Sequence, residues 1–71
     1  MSVLTELQLA VAQHQTGALQ EARLHYLAVL QIEPGHPEAN HNMGVLAVQQ
    51  QQPAAGLAYF LAAIEADLES V

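Results

Sequence analysis

Histidine is the side chain best suited to acid–base or metal chemistry near neutral pH, and this chain has four: His14, His25, His36 and His41. A helical zinc pair needs two histidines four residues apart on one face, with a third ligand converging on them. His36 and His41 are five apart across a proline-marked turn, and His14 and His25 fall in different segments. The spacing predicts solvent-facing or interface histidines and no metal site. Histidines that met across an oligomer interface would titrate near neutral pH and tune assembly, which makes a pH- or metal-responsive switch a competing expectation. The hydroxyls of Ser2, Thr5, Thr16 and Ser70 stand at expected helix ends, where capping is their ordinary role. Glu65, Asp67 and Glu69 read as a solvated acidic end, placed where the helix dipole disfavours negative charge, so the last turn is expected to fray. No phosphate-binding glycine loop and no nucleophile elbow is present, so neither an enzyme nor a cofactor is expected.

Composition narrows the choice further. Seventy-one residues make one small domain, and a hydrophobic content of 52% with 11% charged residues excludes a disordered acidic tail. Cysteine is absent, which removes disulfides and thiolate metal sites together. One Arg, no Lys and seven acids give a net charge of −6, so nucleic acid and anionic membranes would be repelled. No basic residue precedes the first apolar residues, and Glu6, Gln8 and Gln13 interrupt them, unlike a secretory signal. The longest uncharged apolar run, Pro53 to Ile64, is too short to span a bilayer. A cytoplasmic chain is expected.

The elements that must carry these residues are helices throughout. Ala, Leu and Gln dominate, and Gly or Pro occurs only at Gly17, Pro34-Gly35, Pro37, Gly44, Pro53 and Gly56. These breakers predict four helices. The first runs from about Val3 to Gln15 with Ser2 as N-cap, and Thr16-Gly17 turns the chain into a second from about Ala18 to Glu33. Pro37 opens the third, which ends in the glutamines 49–52, and Pro53 opens the fourth. Continuation of the third helix into the fourth, with exchange between protomers, is disfavoured because Pro53 pushes Gln52 out of the α region.

Sliding the chain by 34 residues aligns it with itself. Leu9-Ala10-Val11 falls on Met43-Gly44-Val45, and Tyr26-Leu27-Ala28-Val29-Leu30-Gln31 falls on Phe60-Leu61-Ala62-Ala63-Ile64-Glu65. Carried by Leu9, Ala10, Gly17, Ala22, Tyr26 and Pro34, then by Met43, Gly44, Phe60 and Ala63, the sequence resembles two tandem tetratricopeptide repeats. They cover about residues 3–36 and 37–70 of a single 1–71 domain. The resemblance implies an all-α fold of two antiparallel helix hairpins stacked as a short right-handed solenoid. Small residues at Ala10, Ala22, Gly44 and Gly56 would let helices approach, with Tyr26 and Phe60 filling the space between layers. Glu6, Asn40, Gln13 and Ala47 stand where the family has aromatics, Gln51 stands where Gly is usual, and Leu68 replaces a terminal Pro. Thinner hairpins than the family norm are expected.

By the same resemblance the first helix of each repeat lines a concave groove for extended peptides. The matching residues are Leu4, Leu7, Val11, His14 and Gln15, then Glu38, His41, Val45, Val48 and Gln49. The family's basic clamp for acidic tails is missing, since Arg23, the single cation, lies on the second helix. An apolar peptide, bound without much salt dependence, or another copy of the chain suits this groove better. With Phe60 turned into its own hairpin, Leu57, Leu61, Ile64 and Leu68 share one stripe of the fourth helix, where a third repeat would dock. Two repeats without a closing helix are marginal, so the expected function is a self-associating protein-interaction module and scaffold. The competing expectation is an accessory region preceding the catalytic domain of a larger bacterial enzyme such as a glycosyltransferase.

Overall fold

The computed structural model describes residues 2–69, with the side chains of 2–68. Four helices and no strand occur among them: α1 (Val3–Gln15), α2 (Leu19–Ile32), α3 (Pro37–Gln49) and α4 (Pro53–Glu69). Each boundary has a local cause. Ser2 caps α1, its Oγ accepting the Thr5 N–H at 3.1 Å. The Thr16 hydroxyl donates to the Gln13 carbonyl at 3.0 Å where α1 ends, and Gly17 reverses the chain at φ +86°. Ser70 lies outside the described residues.

The second turn uses different chemistry. Pro37 occupies the first position of α3, and the residue before it, His36, is the N-cap. The His36 Nδ1 accepts the Ala39 N–H at 3.2 Å, a task usually left to Ser, Thr, Asp or Asn. Asn40, almost fully buried, donates from Nδ2 to the carbonyls of Pro34 and His36 at 3.0 Å each and so pins the turn to the helix. The third turn reverses through Gln51 at φ +61°, a left-handed backbone that normally favours glycine. Pro53 then starts α4 as a separate helix.

The helices pair as hairpins, α1 with α2 and α3 with α4, and α2 packs on α3 to join them. The result is a plate of 33 × 30 × 16 Å. Its core holds Leu7, Ala10, Ala22, Tyr26, Val29, Ala39, Met43 and Leu46. Side-chain size sets the spacing inside each hairpin. Ala10 and Ala22 are fully buried in the first. In the second, a methyl group on Gly44 would lie 2.5 Å from the Phe60 ring, and one on Gly56 would lie 2.9 Å from Val48 Cγ2 and 3.1 Å from the Gly44 carbonyl oxygen. The hairpins close because those atoms are absent. No described helix is long and apolar enough to cross a membrane.

Candidate interaction surfaces

The residues assigned to the peptide groove are split among three hollows, except Val45 and Val48, which line none of them. Leu4, Leu7, Val11, Gln15 and Glu38 line the first, of about 310 Å³, together with Gln8 and Ala12. Leu7 shows only an edge there, because it belongs mainly to the core. Val11, His14, Gln15 and Gln49 line the second, of about 410 Å³, with Tyr26 and Asn42. His41 borders neither; it stacks obliquely on Phe60 with ring centres 5.5 Å apart, in a cleft between α3 and α4. Val48 leans toward Gly56 of α4, and Val45 is half-buried.

A hydrogen-bonded chain ties α1, α2 and α3 together in the second hollow. His14 reaches Tyr26 Oη from Nδ1 at 3.1 Å and Gln49 Oε1 from Nε2 at 2.6 Å. Since the amide oxygen accepts, Nε2 carries the proton and Nδ1 accepts the tyrosine O–H. His14 is thereby hydrogen-bonded at both nitrogens, with its ring set edge-on to Tyr26. Asn42 lines the same hollow beside the phenol. Sequence spacing gave no hint of this, because His14 and Gln49 are 35 residues apart.

The remaining histidines also work within the chain. His25 Nδ1 donates to Gln13 Oε1 at 2.7 Å and to the Glu21 carbonyl at 3.0 Å, while its Nε2 lies 3.9 Å from Glu6 Oε2. Glu6 and Gln13, which stand where the family resemblance puts aromatics, thus meet a polar partner on α2. His36 caps α3 as described. His41 is exposed, and the other three are of intermediate exposure. Among the described residues no group of three or more His, Asp or Glu is placed to hold a metal ion.

Burial raises the Tyr26 pKa above its ordinary value of 10.0; the neighbouring Asn42 side chain lowers it and the Glu38 charge raises it. The folded chain therefore holds the phenol proton more tightly than the unfolded chain does. The corresponding stability is complete below pH of about 10 and is lost as pH rises through the raised value. Urea midpoints should fall between pH 9 and pH 11, and Tyr26→Phe should flatten that fall. An unchanged slope in Tyr26→Phe would assign it elsewhere.

α4 carries an uncovered row of large aliphatic residues. Leu57, Leu61, Ile64 and Leu68 are 50–70% exposed and fall on one face of the helix. Two of the four have covered counterparts one period earlier: Leu27 and Leu30, matching Leu61 and Ile64, are half-buried against the core on the helix that α3 covers, whereas Arg23 and Pro34, matching Leu57 and Leu68, are exposed. Phe60, on the adjoining face, turns inward onto Gly44. No protein family, curated protein or solved structure matches this chain.

Proposed function

We propose that this chain is a helical-repeat interaction module of the tetratricopeptide type, without chemistry of its own, which associates with further copies of itself. The observation that carries the reading is the α4 stripe. Positions equivalent to Leu61 and Ile64 are covered in the first hairpin by the next helix, and in the second hairpin they face solvent. Contiguous apolar surface of this kind marks interaction sites. The α1–α3 groove offers a second surface, apolar at Leu4 and Val11 and amide-rich at Asn42 and Gln49. It suits an apolar peptide segment whose backbone those amides can hydrogen-bond.

Sedimentation equilibrium tests the reading directly. The native chain should sediment as a dimer or larger, and Leu61→Glu should shift it to monomer. Because Leu61 is half-exposed, the variant should keep its helical circular dichroism. A native chain that stays a folded monomer at high protein concentration would sink the proposal.

A further inference from the structure

From the spacing of the α4 stripe and the charge along that helix, we infer that two copies pair through α4 in antiparallel, two-fold-symmetric fashion. This rests on the self-association proposed above and specifies its geometry. Three observations carry it.

The first is the spacing. Leu57, Leu61, Ile64 and Leu68 are separated by four, three and four residues, which reads identically in both directions. An antiparallel partner therefore presents the same series. Leu57 meets Leu68 of the partner subunit, and Leu61 meets Ile64 of the partner subunit. A two-fold interface needs this self-complementarity, because the same patch must serve on both sides. Steps of three and four residues are also those of the apolar seam between paired helices.

The second is charge. Glu65 and Asp67 lie in the C-terminal half of α4, whereas the segment from Pro53 to Ile64 is uncharged, and the first turn has no acid. A parallel pair would set each acidic end beside its own copy. The antiparallel pair sets it beside the uncharged half of the partner helix, whose N-terminal end the backbone dipole makes mildly positive. Like-charge repulsion thus selects orientation.

The third excludes head-to-tail stacking, the other way to cover the stripe. In this chain α3 meets the core through Ala39, Met43 and Leu46. One period earlier the corresponding residues of α1 are Thr5, Leu9 and Ala12. Leu46 is almost fully buried, while Ala12 in its place offers a single methyl group and Thr5 adds a hydroxyl. α1 of a second copy is therefore a poor mate for the α4 stripe. Head-to-tail contact would also leave an end open and propagate into filaments.

The chain has no cysteine, so Ala54→Cys, exposed in the first turn of α4, accepts a single spin label. At about 1.5 Å rise per residue, an antiparallel pair should hold the two labels about 25 Å apart along the helix axis. A parallel pair would bring them to about 10 Å, the spacing of packed helices, and would overturn the inference while leaving self-association intact. Polymers that lengthen with concentration would do the same in favour of head-to-tail stacking. A monomer in sedimentation would overturn both proposals. A second variant probes the contact by charge. Ala58 is exposed on the side of α4 that, in the antiparallel pair, runs past Glu65 of the partner subunit. Ala58→Lys should tighten dimerisation severalfold at low salt, and the gain should vanish at high salt. A dissociation constant unchanged or weakened by Ala58→Lys at low salt would count against the antiparallel arrangement.

Discussion

Replacing Tyr26 with Ala should leave the chain largely unfolded at 25 °C, at a cost of about 3–5 kcal/mol for loss of a buried aromatic. Total stability for a chain this size is on the order of 4–10 kcal/mol, at about 0.05–0.15 per residue, so one substitution removes a large part of it. Two features place Tyr26 at the top of that range. Its ring is fully buried in a core otherwise built from Ala, Val, Leu and Met. Its hydroxyl also donates to His14 on α1, so truncation leaves His14 Nδ1 without its donor. Urea titration followed by circular dichroism measures the loss. A midpoint that moves by less than a quarter would mean that neighbouring side chains collapse into the space. Tyr26→Phe keeps the ring and should cost only about 0.5–1.5 kcal/mol, the net worth of one hydrogen bond.

A second large effect is expected from a very small change, Gly44→Ala. The new methyl carbon would sit 2.5, 2.6 and 2.9 Å from three Phe60 ring carbons, well inside van der Waals contact. The Phe60 ring must move or α4 must lift from α3, and overpacking of this type costs about 1–3 kcal/mol. Helix propensity works in the opposite direction, since Ala is favoured over Gly by about 1 kcal/mol at an interior position. The clash decides the sign. Phe60→Leu opens the space that the methyl group needs, so the double variant should be more stable than the two single losses added together. Additive losses, within about 0.5 kcal/mol, would show that the two residues do not interfere.

Much of this architecture is legible in the residues themselves, and the reasons are local. Gly17 and the three prolines are conformational constraints that act whatever surrounds them, so the breaks in the helical pattern appear at the expected places. Ser2 caps α1 through a bond to its own near neighbour. α2 begins at Leu19 and ends at Ile32, one residue inside the expected limits at each end. What stayed hidden depends on distant partners or on side chains used against type. His36 as a helix cap lies outside the usual set of capping residues. Gln51 takes its left-handed turn at the position where the family resemblance has glycine, so the residue type alone did not mark it. The bridge from His14 to Gln49 joins residues that no periodicity relates. The division of the groove residues follows from rotation about α3: Val48 turns toward Gly56, His41 toward Phe60, and Gln49 alone of the three reaches α1.

The smallest dimension of the molecule, 16 Å, is only about one and a half helix diameters. The extensive helix contacts follow chain order, α1 on α2, α2 on α3 and α3 on α4. α2 and α3 each pack on two helices, α4 packs on α3, and α1 packs on α2 and reaches α3 through the His14–Gln49 hydrogen bond. Opening then proceeds from the ends inward, as in other quasi-one-dimensional arrays. Backbone amides of α4 would exchange with solvent through local detachment that leaves α2 and α3 intact, and only a copy seated on its outer face would slow that exchange toward the rate of the centre.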